Sequence, residues 1–448
     1  MYKRKIETLL LEWKEQPQRK PLIIKGVRQC GKTSSVLAFA KANYKHVVYL
    51  DFRAYPEYKQ FFFPNLDINS IVMRISAALP NAVMEPHNTC FVFDEIQDCP
   101  IARSSLKYFC LDGRYDVLCT GSLLGVNGYK TKEEQVEERQ ASIPVGFERI
   151  VNMYPMDFEE WLWANGIREE HIDILRQHLK EETPVEPAFH TRFRELLLQY
   201  VFVGGMPEAV STFLTTQQVG SLLTVQREIV ETYKADMIKY ALTPDKPRIR
   251  ECFESIPKQL AREYKKFTYS VVRPGAKGRD YYGSLQWIED AGIIRRCYNT
   301  EITELPLEGV AMNDQFKVYM ADTGLLISML DDGTAWSIMQ GDLGAYKGAI
   351  YESLMADILG KMGRKLYYYH KDGGVELDFL MRYRGECVPV ECKARTGNAK
   401  SIRTVLSHPE KYHVNHAIKI GDYNVGRDGA LLTIPFYMAF LLSEISNS

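Results

Sequence analysis

The sequence predicts an α/β protein that begins with a parallel sheet and continues into smaller domains. Over the first 150 residues or so, short apolar stretches alternate with polar, helix-compatible stretches, which is typical of parallel strands joined by helices. With 448 residues, the chain is long for one core, so we expect roughly two to four domains. Its composition, 46% hydrophobic and 25% charged, is that of an ordinary globular protein.

Charge and cysteine content narrow the classes of partner and compartment. The formal net charge is −1, so any nucleic-acid contact has to come from a local surface. Nine cysteines without a C-x-x-C pair predict reduced, mostly buried thiols. The charged N-terminus lacks a signal-peptide core, and the apolar run 431–442 is too short to span a bilayer. We therefore expect a cytoplasmic protein that does not contact a membrane.

The first predicted strand ends in a glycine-rich loop. Apolar residues 22–24 lead into the pattern G-x-x-x-x-G-K-T, and helix-compatible sequence follows. A loop of this kind between a strand and a helix turns backbone N–H groups toward phosphate oxygens. We expect Lys32 to bridge the β- and γ-phosphates and the Thr33 hydroxyl to hold Mg²⁺. The predicted ATP-binding residues are Gly26, Val27, Arg28, Gln29, Cys30, Gly31, Lys32, Thr33 and Ser34.

A later apolar strand, residues 91–93, ends in two acids. Asp94 is expected to order Mg²⁺, and Glu95 is expected to polarise the water that attacks the γ-phosphate. The next strand ends in polar residues, of which Ser122, or less favourably Thr120, would contact the γ-phosphate or the water. The predicted catalytic residues are Lys32, Glu95 and Ser122.

Phosphoryl transfer also calls for a cation near the developing charge. Arg139 and Arg149 are the only arginines shortly after the strand that ends at Ser122. Either is a candidate, from the same chain or from a neighbouring subunit, and a solvated surface arginine is the alternative for each.

Helical sequence dominates residues 153–242, which predict a lid over the nucleotide. Asp157 is placed to cap a helix, and the residues after it are apolar at helical spacing. Gly204 and Gly205, followed by Pro207, mark a tight turn before another helix.

Residues 243–340 predict a winged helix-turn-helix, because helices at 249–260 and 280–291 precede a strand at 293–298. This segment is also the most basic in the chain, which makes DNA a candidate partner. A solvated face and a protein-docking surface are the alternatives. The basic residues are Lys258, Arg262, Lys265, Lys266, Arg273, Lys277 and Arg279.

The C-terminal part predicts a helix over 346–360, a strand, and a hairpin that turns at 384–385. The hairpin brings Asp378 near Glu391 and Lys393, an arrangement that suits metal-assisted cleavage of phosphodiesters. Cross-strand ion pairs are the alternative explanation. His413 and His416 are expected to be a surface pair rather than metal ligands.

In this order the motifs resemble the prokaryotic AAA+ family ATPases that carry a C-terminal domain of unknown function with a restriction-endonuclease-like, PD-(D/E)XK core. The resemblance covers nearly the whole chain. It rests on residues 26–33, 93–97, 120–122, 145–160, 204–208, 376–379 and 391–393.

The resemblance implies an ATPase core over residues 1–152, a helical lid over 153–242, a winged helix over 243–340 and a nuclease-like domain over 341–448. The nuclease pattern falls on Glu352, Asp378, Glu391 and Lys393, with its opening acid on a helix.

The preferred function is a Mg²⁺-dependent ATPase whose hydrolysis moves its appended domains, with DNA as a candidate partner. An ATP-gated DNA nuclease and a nucleotide-dependent switch or scaffold for a protein partner remain open. Assembly into a homo-oligomer is a further possibility that the sequence does not decide.

Overall fold

The computed structural model describes residues 2–123, 143–240, 245–262, 265–371, 374–393 and 399–445. The chain divides into two compact units. Unit 1 comprises Met1–Pro155, Ala235–Leu242 and Asp290–Gly292, and unit 2 comprises Met156–Lys234, Thr243–Glu289 and Ile293–Ser448. Helices and strands are numbered along the described residues.

Unit 1 contains a five-stranded parallel sheet, as predicted. Its strands have the spatial order β2-β3-β4-β1-β5, and all neighbouring pairs are parallel. The strand that follows the acids in sequence, β4, therefore lies between the loop strand β1 and the acid-bearing strand β3. The strands are β1 (Leu22–Gly26), β2 (His46–Asp51), β3 (Thr89–Asp94), β4 (Asp116–Ser122) and β5 (Arg149–Met153).

Helices pack on both faces of this sheet, so its inner strands are mostly buried. Alternate residues of a strand point to opposite faces, and β3 shows the result: Phe91 and Phe93 enter one core, Cys90 and Val92 the other. All six residues of β3 are buried, as expected for a covered parallel strand. The α-helices of this region are α1 (Lys5–Glu15), α2 (Lys32–Asn43), α3 (Ile68–Ala78) and α4 (Pro100–Asp112).

Unit 2 contains an eight-stranded mixed sheet in the order β12-β13-β11-β10-β9-β8-β6-β7. The predicted hairpin is present, with β9 and β10 antiparallel. Its turn residues, Arg384 and Gly385, have φ angles of 49° and 82°. The strands are β6 (Ile294–Thr300), β7 (Ala311–Met320), β8 (Leu366–His370), β9 (Glu376–Tyr383), β10 (Glu386–Lys393), β11 (Ala417–Gly421), β12 (Gly426–Asp428) and β13 (Leu431–Pro435).

The remaining α-helices begin after residue 156. The first of them starts at the predicted cap, where the side chain of Asp157 accepts a hydrogen bond from the Glu160 N–H at 2.9 Å. Their bounds are α5 (Phe158–Ala164), α6 (Glu169–Glu181), α7 (Pro187–Val203), α8 (Pro207–Thr216), α9 (Val219–Tyr240), α10 (Lys246–Leu260), α11 (Tyr269–Val272), α12 (Gly278–Asp290), α13 (Thr323–Ser328), α14 (Asp332–Met339), α15 (Lys347–Lys361), α16 (Lys400–Leu406), α17 (Pro409–Tyr412) and α18 (Leu442–Ile445). The role of α5–α9 as a lid stays a prediction.

Within the segment 243–340, helices α10, α11 and α12 precede the antiparallel pair β6–β7. Lys266, between α10 and α11, forms an antiparallel bridge with Lys317 of β7. Strand β6 also pairs in parallel with β8, which lies beyond the predicted domain boundary at residue 340. Backbone hydrogen bonds thus join strands on both sides of that boundary into one sheet. The division into four domains stays a prediction.

The predicted turn at Gly204 and Gly205 holds the backbone of Met156. The Met156 N–H donates to the Gly205 carbonyl at 2.7 Å, and its carbonyl accepts from the Tyr200 hydroxyl at 2.9 Å and from Lys361 Nζ at 3.0 Å. A Cβ atom on Gly205 would lie 2.0 Å from the Met156 oxygen. Only glycine therefore lets these two segments approach so closely.

No helix within the described ranges is long and apolar enough to cross a membrane. All nine cysteines are free thiols, as predicted, and seven of them are buried.

Candidate functional site

The glycine-rich loop leads from β1 into α2. Gln29 and Gly31 have left-handed backbones, with φ angles of 62° and 95°, and Gly31 is the residue before α2. Such turns bring successive backbone N–H groups together into an anion-binding nest. The N-terminus of α2 adds the positive end of the helix dipole. The loop therefore has the backbone shape that a phosphate group requires.

Lys32 is folded back over this loop. Its Nζ donates to the carbonyl oxygens of Gly26 at 3.1 Å and Val27 at 2.8 Å, and the residue is 8% exposed. Carbonyl groups are neutral acceptors, whereas phosphate oxygens are charged and bind an ammonium group more strongly. Lys32 is thus held where phosphate would meet it.

Thr33 and Asp94 are in direct contact. The Thr33 hydroxyl donates to Asp94 Oδ1 at 2.9 Å, the Thr120 hydroxyl donates to the same oxygen, and the Tyr49 hydroxyl donates to Oδ2 at 2.7 Å. Burial and the neighbouring Asp94 raise the pKa of Tyr49 above its usual value. A hydroxyl and a carboxylate beside a phosphate loop are the protein ligands that Mg²⁺ takes when nucleotide supplies the others. The residues present therefore fit Mg²⁺.

Both candidates for the sensor residue lie at this edge of the sheet. In the parallel pairing of β1 and β4, Ser122 lies beside Gly26 and Thr120 beside Ile24. Ser122 is level with the start of the loop, while Thr120 contacts Asp94. The sensor role of Ser122 stays a prediction.

Glu95 has an unusual backbone and a restrained side chain. Its φ and ψ angles of 54° and 50° lie in the left-handed region, which costs a residue other than glycine about 1 kcal/mol or more. Its Oε2 lies 3.0 Å from Arg53 Nη2 and accepts a hydrogen bond from the Gln97 side chain. The carboxylate is thus oriented by two donors.

The sequence analysis did not predict Arg53. This residue follows β2, and its Nε also lies 2.8 Å from Asp98 Oδ2. In the parallel pairing of β2 and β3, Asp51 lies opposite Asp94, so residues just after β2 are close to those just after β3. Only knowledge of the strand order could have revealed this cation.

We expect Arg53→Ala to lower kcat about tenfold and to change the KM for ATP little. Loss of one charge-assisted hydrogen bond worth about 1.4 kcal/mol corresponds to that factor. Steady-state kinetics would measure both parameters, with Arg74→Ala, on α3, as the matched control. An unchanged kcat in Arg53→Ala would show that Arg53 does not position Glu95.

One of the two candidate arginines lies too far from the phosphate loop to act within its own chain. Arg149 begins β5 and pairs with Leu22, at the start of β1, whereas the loop follows Gly26 at the other end of that strand. Four strand residues separate these ends by about 13 Å. The candidate role of Arg149 at the phosphate loop of its own chain is therefore contradicted. A role at the loop of a neighbouring subunit stays a prediction. Arg139 lies outside the described residues.

The other loop residues anchor the loop within unit 1. Arg28 Nε lies 2.7 Å from Asp236 Oδ2, near the end of α9. The Cys30 carbonyl accepts a hydrogen bond from Arg4 Nη1 at 2.9 Å, and the Cys30 side chain is fully buried. Ser34, in the first turn of α2, is exposed. The structure thus brings the predicted loop residues together, although not all of them face the loop's interior.

A second group of charged side chains lies in unit 2, and the structure brings the predicted residues together there. We call Glu352 of α15, Asp378 of β9 and Glu391 of β10 the acidic cluster. The last aligned pair, Val390–Phe379, puts Glu391 opposite Asp378. One Glu391 oxygen pairs with Lys393, and the other, Oε2, is buried without a hydrogen-bond partner in the part of the chain that the structure describes.

Lysine side chains from outside the predicted set neutralise Glu352. Its Oε1 accepts a hydrogen bond from Lys265, and Lys317 Nζ lies 3.9 Å from its Oε2. The Tyr319 hydroxyl donates to the same Oε2 at 3.0 Å. Burial raises the pKa of Glu352, but Lys317 and Lys265 outweigh burial and lower it overall. Burial and Glu352 raise the pKa of Asp378 to about 7.

Over the described ranges, no group of three or more His, Cys, Asp or Glu side chains is arranged to hold a metal ion. In this arrangement the acidic cluster does not fit a divalent metal, because ammonium groups already balance part of its charge. His413 lies 3.4 Å from Glu304 and His416 2.8 Å from Glu386. These contacts suit the predicted surface role of the two histidines.

The geometry of unit 1 defines the class of protein. A strand, a glycine-rich loop with its lysine and threonine, and an acid on a nearby parallel strand form a P-loop nucleotide-binding domain. Residues 18–162 match the AAA domain family (AAA_14), which supports an ATPase-like function. Residues 194–335 and 347–437 match two domains of unknown function, DUF8612 and DUF4143.

Several solved structures are similar to this chain at low identity. The Walker-type ATPase PABY2304 of Pyrococcus abyssi is 14% identical, over 73% of this chain and 96% of that chain, with a TM-score of 0.44. Cdc6p from Pyrobaculum aerophilum is 12% identical, over 76% and 93%, with a TM-score of 0.26. AMPPCP-bound DnaA from Aquifex aeolicus is 13% identical, over 64% and 87%, with a TM-score of 0.23. No curated protein matches the sequence.

These structural similarities are too distant to transfer a function. The assignment of an ATPase-like protein rests on the AAA domain match and on the geometry of the loop. The predicted P-loop core of an AAA-type ATPase is thus supported by the family match and by the loop geometry. The winged helix and the restriction-endonuclease-like domain stay predictions.

Proposed function

We propose that this protein is a Mg²⁺-dependent ATPase. The observation that carries the proposal is the contact between Thr33 Oγ1 and Asp94 Oδ1, 2.9 Å long, beside a loop that holds Lys32. Glu95 follows Asp94 directly and is oriented by Arg53. A phosphate cradle, a pair of Mg²⁺ ligands and a candidate base thus lie along one edge of the sheet.

The chain's own residues divide the work of hydrolysis among them. Loop N–H groups and the N-terminus of α2 bind the phosphates, and Lys32 exchanges its carbonyl partners for phosphate oxygens. Bound Mg²⁺, held by Thr33 and Asp94, would neutralise phosphate charge. Glu95 accepts a proton from a water molecule as the water oxygen bonds to the γ-phosphorus. The bond from that phosphorus to the bridging oxygen breaks, and the products are ADP and inorganic phosphate.

The proposal is tested by measuring ADP release from ATP by the purified protein, with Mg²⁺ and with excess EDTA. We expect turnover with Mg²⁺ and none above the protein-free rate with EDTA. Equal rates in the two conditions would contradict the proposal. Movement of the appended domains on hydrolysis stays a prediction.

A second proposed function is DNA binding by the segment from α10 to α12. Its support is the helix order described above, followed by an antiparallel strand pair, as in winged-helix proteins. Four exposed cations in this segment make no ion pair with any described residue: Lys258, Arg262, Lys266 and Lys277. Arg273 and Arg279 are 69% and 78% exposed, and each lies close to 4 Å from its nearest acid. Lys265, by contrast, contacts Glu352.

Binding to duplex DNA is expected to weaken steeply with salt. Each phosphate contact adds about 0.9 to the slope of log Kobs against log salt, so Lys258→Gln with Lys277→Gln is expected to reduce that slope by about 2. Fluorescence anisotropy of a labelled duplex at several salt concentrations measures it. Lys41→Gln with Lys107→Gln, two exposed lysines of unit 1, is the matched control. No binding at low salt would leave a protein-docking role as the better explanation of the basic segment.

The other two alternatives have less support. A nuclease would require a divalent metal in the acidic cluster, and that cluster as arranged is neutralised by lysines. A switch or scaffold would require a surface that binds a protein partner, and no observation on the described residues identifies such a surface.

A further inference from the structure

We propose that Lys265 acts as a built-in cation that keeps divalent metal ions out of the acidic cluster. The proposal concerns unit 2 alone and does not depend on ATP hydrolysis. It starts from a mismatch: the cluster has the carboxylates that a hard divalent ion prefers, yet lysine ammonium groups already offset part of its charge.

The cluster contains three carboxylates, two of which are almost fully shielded from solvent. Glu352 is 8% exposed and Glu391 3% exposed, and the Cys392 N–H donates to Asp378 Oδ2 at 2.8 Å. Neighbouring buried carboxylates are stable in their charged form only when cations or hydrogen-bond donors offset their repulsion. The ammonium groups of Lys265, Lys317 and Lys393 supply that offset.

The lysines do not satisfy the cluster completely. Glu391 Oε2 is buried and has no hydrogen-bond partner among the described residues, and a buried charged acceptor without a donor is unfavourable. Burial and the nearby Glu352 also raise the pKa of Asp378 to about 7, as expected where negative charge is incompletely balanced. A divalent ion among the three carboxylates would relieve both deficits.

Lys265 is the one lysine of the three that is not part of the sheet. Lys317 lies in β7 and also pairs with Glu376 at 2.8 Å, and Lys393 ends β10 beside Glu391. Lys265 precedes a segment that the backbone of Phe267 ties to Phe316 at 2.8 Å. Lys265 therefore contributes its charge to Glu352 from outside the sheet, and its replacement alters no strand residue.

Removal of the Lys265 charge should consequently expose a metal site. The full-length Lys265→Met variant keeps the apolar stem and loses the ammonium group. We expect it to bind one more Mn²⁺ per chain than the wild type in the absence of nucleotide, at least tenfold more tightly than any site of the wild type. Electron paramagnetic resonance of free Mn²⁺ counts the bound ions, and Mn²⁺ is also expected to raise the Tm of the variant.

Controls separate this effect from a general change in the protein. Lys266→Met, at the exposed neighbouring lysine, is expected to behave as the wild type, and Lys265→Met combined with Asp378→Asn is expected to lose the gained ion. Equal Mn²⁺ stoichiometry and affinity in the wild type and Lys265→Met would overturn the proposal.

The wild-type chain provides a test that does not depend on the stability of Lys265→Met. If Lys265 excludes metal, Asp378→Asn in the otherwise unchanged chain leaves Mn²⁺ uptake as it was. A loss of one bound Mn²⁺ in that variant would show that the cluster already holds an ion and would refute the role assigned to Lys265.

Discussion

The Lys32→Ala variant is expected to lose ATP turnover down to the protein-free rate and to bind nucleotide at least tenfold more weakly. Lys32 is the cation inside the loop, where it now donates to two carbonyl groups. Loss of a charge-assisted contact costs about 1.5–3 kcal/mol in binding, and loss of a donor to developing charge costs a further factor of about 10²–10³ in kcat. ADP release and titration with a fluorescent ATP analogue measure the two effects.

Lys41→Ala is the matched control, because Lys41 lies on the same helix α2 and is exposed. Its turnover and affinity should equal those of the wild type. Thermal unfolding of both variants checks that the loss in Lys32→Ala comes from chemistry and not from folding. Turnover by Lys32→Ala at the wild-type rate would exclude this loop as the catalytic site.

Glu95→Gln is expected to lower kcat by about 10²–10⁴ and to leave nucleotide affinity within about twofold of the wild type. Glutamine has the size of glutamate and can still accept hydrogen bonds from Arg53 and Gln97, the present partners of Glu95. It cannot accept a proton from water at neutral pH. Single-turnover hydrolysis and analogue binding distinguish these two steps.

A variant with reduced affinity and normal kcat would assign Glu95 to binding rather than to proton transfer. Glu57→Gln, at an exposed glutamate after β2, controls for the loss of one negative charge near the same edge of unit 1. It is expected to match the wild type in both measurements.

The phosphate loop could be predicted because its chemistry is local. A strand, a tight loop and a helix follow one another without interruption between Leu22 and Asn43, so the spacing of a few residues determines where Lys32 and Thr33 lie. Asp94 was also predictable, since a buried strand that ends in acids needs no knowledge of its neighbours. Both features depend on local backbone geometry, which the spacing of residues in the sequence predicts.

Residues whose role depends on strand order could not be predicted in the same way. Arg53 lies beside Glu95 only because β2 pairs with β3, and Arg149 lies far from the loop because the parallel register puts it beside Leu22. Lys265 meets Glu352 across 87 positions in the sequence. No periodicity or local spacing encodes such pairs.

The pairing of β6 in the second sheet likewise could not be predicted from local sequence. The predicted domain boundary after residue 340 comes from the family resemblance, which implies a winged helix over residues 243–340. The parallel pairing of Cys297–Thr300 with Leu366–Tyr369 is a contact between strands separated by an intervening run of helices. Its partner could not be chosen from sequence alone.

Gly26 lies so close to Met153 and Cys30 that no side chain fits at this position. A Cβ atom there would lie 2.2 Å from the Met153 oxygen and 3.0 Å from Cys30 Sγ, so even alanine would push β5 away from β1. Mutational scans of this protein should consequently find position 26 intolerant at the level of expression, before any effect on ligand affinity can be observed. The close packing of β5 against β1 therefore requires glycine at position 26 independently of any bound ligand.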